Sequence, residues 1–561
     1  MRRLLVFCSL LLCVAALTSL AAAQEPARLM FHWQSDDTQC GRFGQVLDGA
    51  GDVDSDGVPD LIVGSAIGCV RVLSGRTGVA LYTFTDYGSS KEFGSAVAGG
   101  GDANGDGVPD LLIGANGASP NGEDSGKVWL RSGADGAVIR THQGDGIDDH
   151  FGKSLTFLGD VDGDGLDDYA VGATAPIYPI EPTDYVRVFS GASGAVLYTL
   201  EGSSQEGDRF GYQLDRVDDL NGDGAPELLV GVPMDSTNPN AGFWLGSARV
   251  YSGADGRLLR RHYGDQTYGF LGSALAAADD VDGDGVSDYM AGAWGDDTAG
   301  VGAGMVRVWS GASGAVLHTF YGAPSGEGIG VSMGPAGDQN GDGFGDLAIG
   351  APYAFQGGVQ VGRLRIDSGA DGTRLADWWG TAVRGDFGTA AENLGDLDGD
   401  GIAELVVSSQ NETGATSATG AVRLFAGALR SLWSETHQLS SGAGGAQALH
   451  LNAGAAFAGM PYRLLGSATG TTPGIDRDGH HLALTPDFYF DRTRLRPNAP
   501  PLVDSAGVLD AAGAAEARFE LPPGAAAAYV GTTVWHAYVV YEPNTLTLQH
   551  VSAPVPVTLL D

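Results

Sequence analysis

Basic residues are scarce in this chain: 31 lysines and arginines stand against 69 aspartates and glutamates, a net charge of −38 over 561 residues. Such a balance excludes nucleic acid and anionic membrane as partners, because both need a basic face. Long apolar runs are missing after the N-terminal stretch, so no later segment would insert in a bilayer as a helix. Catalytic signatures are also missing: the chain has no H-E-x-x-H, no P-loop and no cysteine in a nucleophile setting. Cysteine itself is sparse, with Cys8 and Cys13 near the N-terminus and only Cys40 and Cys69 beyond it. An even pair in an oxidising compartment favours a disulfide, with two free thiols as the alternative.

The N-terminal stretch reads as an export signal over residues 1–23. Arg2 and Arg3 form its charged region, Leu4 to about Leu17 its apolar core, and Ala21-Ala-Ala23 an A-x-A cleavage site. The mature chain is then expected to begin near Gln24. An uncleaved anchor is the alternative, but the run is short and ends in small residues. Cys8 lacks an upstream lipobox, and Cys13 follows Leu12 where a small residue is wanted, which argues against a lipoprotein. This reading places the protein outside the cell or on its surface, where calcium is plentiful.

Glycine, with 90 residues, and aspartate are abundant. Their organising pattern is Asp52-Val-Asp-Ser-Asp-Gly-Val-Pro-Asp60, a D-x-D-x-D-G-x-x-D loop followed at once by Leu61-Ile-Val. Four carboxylates in nine residues repel one another unless a cation sits among them. Hard oxygen ligands at this spacing suit Ca²⁺. Positions one, three, five and nine (Asp52, Asp54, Asp56 and Asp60) would ligate through side chains, and position seven through its carbonyl. Glycine at position six permits the turn.

The loop recurs six times. Its copies are Asp102, Asn104, Asp106 and Asp110; Asp160, Asp162, Asp164 and Asp168; and Asp219, Asn221, Asp223 and Glu227. Further on stand Asp280, Asp282, Asp284 and Asp288; Asp338, Asn340, Asp342 and Asp346; and Asp396, Asp398, Asp400 and Glu404. Every departure from aspartate keeps an oxygen donor, so up to seven Ca²⁺ are expected. Solvated acidic turns are the alternative. An EF-hand is excluded, since its last acid stands at position twelve between helices. The repeat length of 50 to 61 residues is that of a propeller blade.

Nine residues before each loop stands Phe-Gly or a substitute: Phe43-Gly44, Phe93-Gly94, Phe151-Gly152, Phe210-Gly211, Leu271-Gly272, Ile329-Gly330 and Phe387-Gly388. A strand ending in Gly-Ala-Pro or a relative follows each loop, as at Gly350-Ala-Pro352 and Gly231-Val-Pro233. The third strand is Val-Arg-Val-x-Ser-Gly-Ala-x-Gly, clear at Val186–Gly194 and Val306–Gly314. A fourth follows a tight turn, as in Val196-Leu-Tyr-Thr-Leu200. Four short strands per repeat are the anatomy of a propeller blade.

Over residues 28 to 437 these linked motifs resemble the FG-GAP repeat family, the repeats of the integrin α-subunit β-propeller and its bacterial relatives. The resemblance implies an all-β, seven-bladed propeller with calcium in the loop joining strands one and two. In the integrin propeller only some blades carry such a loop, whereas all seven repeats carry it here. The seventh repeat departs most, with Ser408-Ser409 where Gly-Ala is usual.

First strands such as Gly94-Ser-Ala-Val-Ala98 are rich in small residues, as strands converging on one axis require. Arg28-Leu-Met-Phe-His-Trp33 reads as a fourth strand that would complete the last blade and join the chain's ends. Leu432-Trp-Ser434 competes for that edge, and the N-terminal segment is favoured. Arg71, Arg187, Arg249, Arg307, Arg365 and Arg423 share one register of strand three. They are read as pairing with acids of the adjacent blade, with anion binding as the alternative.

Cys40 and Cys69 fall on the propeller face that also carries the varied loops Ile177–Asp184, Asp235–Gly246, Trp294–Gly304 and Tyr353–Val361. Recognition usually resides in loops on a rigid scaffold, so a protein or glycan ligand at the cell surface is expected on this face. From residue 439 to 561 the repeat stops. Ala448-Leu-His-Leu451, Tyr462-Arg-Leu-Leu465, Phe488-Tyr-Phe490, Ala517–Leu521 and Trp535–Tyr541 read as strands of a small C-terminal β-sandwich. The propeller is accordingly assigned to 24–438. His480-His481 reads as an exposed turn pair rather than a metal site.

Gly330-Val-Ser332-Met-Gly334 spells a nucleophile elbow, but it lies in a repeat's first strand without the strand-turn-helix context. Arg384-Gly-Asp386 spells a cell-attachment tripeptide and is read as coincidence. The reading is therefore a non-enzymatic, secreted, calcium-stiffened recognition protein. A secreted polysaccharide hydrolase or lyase and a structural envelope component are the alternatives.

Overall fold

The computed structural model describes residues 29–560, apart from 35–39, 66–67, 87–90, 175–183, 204–206, 239–241, 325, 341, 398–401, 414–419, 427–431, 434–437, 441–443, 454–456, 458, 472–473, 478–479, 511–513, 523–529, 544 and 553–554. The expected export signal, Arg28, Asp398, Asp400 and most of the 177–184 loop lie outside the described residues. Two compact units divide the chain, one within 27–428 and one within 429–561.

The first unit holds seven four-stranded antiparallel sheets among the described residues. Sheet one runs Val46–Gly51, Asp60–Ser65, Cys69–Leu73 and Ala80–Thr85. The first strands of sheets two to six are Ala96–Gly101, Phe151–Gly159, Leu214–Val217, Ala274–Ala278 and Met333–Gly337. Sheet seven comprises Phe387–Asn393, Leu405–Ser409, Ala421–Phe425 and the N-terminal strand Leu29–Gln34. That last strand pairs antiparallel with Ala421–Phe425, placing Trp33 opposite Val422. Each first strand lies beside the first strand of the next sheet, and that of sheet seven beside that of sheet one. The sheets therefore stand as the blades of an integrin-like propeller, closed by the chain's own N-terminal strand.

Position within a sheet explains the sequence of each strand. Second strands such as Asp60–Ser65 and Asp168–Ala173 are buried at every residue. With sheets packed on both faces they read as continuous apolar runs instead of alternating ones. Fourth strands such as Ala80–Thr85 mix exposed and half-buried residues, because they form the solvent edge.

The Phe-Gly pairs position successive sheets. Phe43, Phe93, Phe151, Phe210 and Phe387 are buried, as are the substitutes Leu271 and Ile329. Gly94 has a φ of +85°, and a Cβ there would meet Val70 Cγ2 at 2.8 Å and the Cys69 carbonyl at 2.9 Å. Only glycine allows that approach.

A recurring latch joins the outer edges. Tyr82 Oη donates to the Gly133 carbonyl at 2.8 Å, Tyr198 Oη to Gly253 at 2.6 Å and Arg260 Nη1 to Gly311 at 2.5 Å. Arg140 reaches Gly191 and His318 Nε2 reaches the Gly369 carbonyl in the same way. Each belongs to the fourth strand of one sheet and holds the turn between strands three and four of the next.

The second unit has two main sheets. One orders Leu432–Trp433, Gly445–Asn452, Ala514–Leu521 and Leu502–Val503; the other is built around Pro461–Ser467, Thr533–Tyr541 and Val555–Leu560. Leu449, Phe519, Leu464, Tyr538 and Val557 from both form one apolar core, as a sandwich requires. Leu432–Trp433 pairs with Leu451 and His450, so it does not compete for sheet seven, and the unit begins before residue 439. Phe488-Tyr-Phe490 is not a strand. It opens a helix, Phe488–Leu495, whose N-cap Asp487 accepts the Phe490 amide at 2.7 Å. The cap offsets an exposed amide, and the buried pair Phe490 and Thr493 shows helical spacing. The side chains of His480 and His481 lie outside the described residues.

Candidate metal centres

All seven acidic loops connect strand one to strand two, and their described residues share one frame. In loop one, Asp52 accepts the amides of Asp56 at 3.0 Å and Gly57 at 2.8 Å. Asp56 Oδ1 accepts the Val58 amide at 3.0 Å. Asp160 and Asp280 hold their loops in the same manner, with Gly165 and Gly285 each at 2.9 Å. The position-six glycines have positive φ, 87° at Gly57 and 91° at Gly165, as the turn demands.

Position nine is the buried member. Asp60, Asp110, Asp168, Glu227, Asp288, Asp346 and Glu404 are all inaccessible to solvent. Asp168 Oδ2 accepts the Val161 amide at 2.9 Å and Oδ1 accepts Gly191 at 2.8 Å, which ties the loop to the turn between strands three and four. Asp288 does the same with Val281 at 2.9 Å and Gly311 at 2.7 Å. Burial raises these acids, Asp60, Asp168 and Asp288 to about 6 and Asp110, Glu227 and Asp346 to about 7. Nearby loop carboxylates add to the rise.

Position three alternates along the chain: aspartate in loops one, three, five and seven, asparagine in two, four and six. In loops one, three and five the trios Asp52/Asp54/Asp60, Asp160/Asp162/Asp168 and Asp280/Asp282/Asp288 each bring three oxygens within 4.8 Å of one another. In the even loops the amide nitrogen donates to a neighbouring acid instead: Asn104 to Asp110 at 3.1 Å, Asn221 to Asp223 at 2.8 Å and Asn340 to Asp342 at 3.0 Å. Glu227 Oε1 is buried and accepts no hydrogen bond. Converging carboxylates and an orphaned oxygen, with no nitrogen or sulfur ligand in the motif, fit a hard divalent cation.

A further trio, Asp124, Asp148 and His150, meets the same distance criterion outside the loops and was not singled out from sequence. Asp124 there already pairs with Lys91 at 3.1 Å.

Cys40 and Cys69 are joined in a disulfide with Cα atoms 5.2 Å apart. It ties the segment that follows the closing strand to strand three of sheet one.

The arginine row is internally paired, but its acids belong mainly to the arginine's own sheet or to the connection entering it, not to the adjacent blade. Arg187 pairs with Asp145, Arg249 with Asp235 at 2.7 Å, Arg307 with Asp265 at 2.6 Å and Arg423 with Glu412. Arg365 pairs with Asp367 two residues on, at 3.0 Å, and Arg71 lies over the Phe43 ring. Sequence offsets could not reveal partners that loop conformation selects. A cavity of about 430 Å³ beside sheet three is lined by Asp145, Asp149, Tyr185, Arg187 and Glu201; Asp145 is held by Arg187 and Asp149 by the Tyr185 hydroxyl at 2.6 Å.

Neither short sequence match forms an exposed site. Ser332 is buried and donates to the Gly388 carbonyl at 2.8 Å, as Ser154 does to Gly211 at 2.6 Å. Asp386 is buried and accepts from Gln360 at 3.2 Å and from Asn411.

The FG-GAP repeat family model matches residues 93–130, 330–366 and 387–425. Integrin alpha-5 of Xenopus laevis is 32% identical over 220 residues, covering 36% of this chain and 20% of that protein. Integrin alpha-V of Gallus gallus is 28% identical over 194 residues, 30% of this chain and 18% of its own length. Integrin alpha-PS2 of Drosophila melanogaster is 30% identical over 223 residues, 36% and 15% respectively. The aligned region thus spans a fifth or less of these relatives. No helix among the described residues is long and apolar enough to cross a membrane.

Proposed function

Starting from a chain of FG-GAP repeats of the integrin α-like kind, we propose that it is a secreted, non-catalytic recognition and adhesion protein. Its seven-bladed propeller is stiffened by calcium, one ion per blade, and binds a protein or glycan ligand on the loop face. Residues 1–23 act as the export signal, and a C-terminal sandwich beginning near residue 429 follows the propeller. Asp160, Asp162, Asp164 and Asp168, with their counterparts in the other loops including Asp398, Asp400 and Glu404, hold the ions. The observation that carries this reading is the repeated convergence of three carboxylates in loops one, three and five.

Bound calcium would supply charge compensation that the apo loops lack, and its binding energy would add to folding stability. The chain's own residues contribute the fixed loop: position one gathers the backbone amides and position nine anchors the loop to the same sheet. The test is thermal unfolding of the mature chain in calcium and in EGTA. A clear fall in Tm on chelation is expected, and an unchanged Tm overturns the calcium role.

A further inference from the structure

We propose that an aromatic platform on sheets four and five binds a neutral carbohydrate chain. This rests on the loop face being the ligand-binding face. Four rings, those of Trp244, Tyr268, Phe270 and Trp294, meet there in mutual contact, and the exposed Phe243 adjoins them in sequence. Phe243 and Trp244 come from the loop between strands two and three of sheet four, Tyr268 and Phe270 from the connection into sheet five, and Trp294 from the corresponding loop of sheet five. Trp244 meets Tyr268 edge-on at 5.5 Å between centroids, and Phe270 stacks on Trp294 at 5.2 Å with an interplanar angle of 8°.

The platform is exposed and stands on a backbone fixed by the repeat. Phe243 is 70% exposed, Tyr268 52% and Trp294 47%. Contiguous exposed aromatics mark interaction sites, since solvent exposure of such surface is unfavourable. Trp244, Tyr268 and Phe270 all hold positive φ, at 51°, 62° and 59°, as Asp124, Asp148 and His150 do at the equivalent positions before Phe151, so the repeat backbone sets these conformations. Bulky residues avoid that region unless the surroundings enforce it.

Backbone hydrogen bonds enforce it here. The Tyr268 amide donates to Phe243 at 3.1 Å, Phe270 to Trp244 at 3.3 Å and Gly295 to Gly269 at 3.2 Å. A Cβ at Gly295 would stand 2.7 Å from the Phe270 ring, so the loops meet as closely as glycine permits. A surface fixed in advance loses little entropy on binding.

The chemistry of the rim selects the occupant. Arg307, the cation of strand three in sheet five, is held by Asp265 at 2.6 Å and is not free for an anion. The nearby acid Asp297 is exposed, and only its Oδ1 is engaged, by the Gly302 amide at 2.6 Å. Its own amide bonds Gln266 Oε1 at 2.6 Å, which places it beside the Tyr268 loop. The site therefore offers apolar ring faces next to a carboxylate acceptor. Pyranose rings present the complement, C–H faces flanked by hydroxyl donors, whereas an anionic glycan would meet a chain of net charge −38.

The test is titration of the calcium-loaded full chain with cellohexaose, laminarihexaose and maltohexaose, followed by tryptophan fluorescence, with hexalysine as a cationic competitor class. Saturable binding of at least one hexaose is expected, weakened tenfold or more by Trp294→Ala and by Tyr268→Ala. Phe488→Ala, an exposed aromatic of the C-terminal unit, should leave binding unchanged. Thermal unfolding of each variant checks that it is folded. No binding of any hexaose at millimolar concentration overturns the inference, as does hexalysine binding that Trp294→Ala abolishes. If the hexaoses fail while EGTA still lowers Tm, the carbohydrate inference falls alone; an EGTA-insensitive Tm defeats the calcium reading.

Discussion

The amide of Gly191 donates to the buried carboxylate of Asp168 at 2.8 Å, and that bond joins an acidic loop to the turn between strands three and four of its own sheet. Position nine is thus a structural anchor as well as a candidate ligand, and the two roles separate by mutation. Asp168→Ala leaves the Val161 and Gly191 amides without their acceptor. Stability should fall by roughly 2–4 kcal/mol even in EGTA. Asp164→Asn, at an exposed position of the same loop, should change apo stability by no more than about 0.5 kcal/mol yet reduce the calcium response. Denaturant unfolding with and without calcium checks both.

Alternation at position three predicts two classes of cation site. Loops one, three and five converge three acids, whereas Asn104, Asn221 and Asn340 spend their amides on neighbouring acids. Charge count tunes affinity in oxygen-ligand loops, so the odd loops should bind about tenfold tighter or more. A competitive calcium titration should resolve two classes, and Asn104→Asp with Asn221→Asp and Asn340→Asp should merge them. A single uniform class in the wild type contradicts this reading.

Three acids at one register of the first strands, Asp48, Asp215 and Glu392, predict a pH dependence. Asp48 holds the Gly99 amide of the next sheet at 3.1 Å and Asp215 that of Ala277 at 2.8 Å. Reduced hydration at these half-buried positions and then mutual repulsion raise Asp48 to about 7, reduced hydration raises Asp215 to about 6, and reduced hydration with the charges of Asp48 and Asp215 raises Glu392 well above its usual range. A folded-state pKa above the unfolded value means that the folded protein binds more protons. These groups therefore make stability fall as pH rises from about 4 to 7. Glu392→Gln should raise Tm at pH 8 and flatten the pH profile, at fixed free calcium, relative to the wild type. An unchanged profile contradicts the coupling.

Ring closure can be tested at its seam. Trp33 Nε1 donates to the Gly78 carbonyl at 2.7 Å, and Cys40–Cys69 closes 29 residues across the same region. Trp33→Phe should cost about 1 kcal/mol. Replacing both cysteines by serine should cost about 2–4 kcal/mol. Urea unfolding of both variants, with dithiothreitol-treated wild type alongside, provides the comparison.

The repeats were legible because their signals are local. An Asp-x-Asp-x-Asp-Gly loop turns on its own amides, and a buried second strand such as Leu61-Ile-Val63 announces itself as an apolar run. The loops' place between strands one and two is implied by the resemblance to FG-GAP repeats, and Arg28–Trp33 is favoured as the closing strand because it looks like a fourth strand; the paired strand is Leu29–Gln34. The helix at Phe488–Leu495 was missed because two aromatics beside a tyrosine look like strand, and the cap at Asp487 decides otherwise.

Sequence alone determined which residues are turns, strands and acidic loops, since these depend on neighbours a few positions apart. Tertiary structure decided which acid holds each arginine, which carbonyl each edge side chain latches and which aromatics form one platform. Arg307 and Asp265, like Trp244 and Tyr268, stand 42 and 24 residues apart and meet only because the packed sheets bring their loops to one end. No periodicity records a contact made by closing the ring.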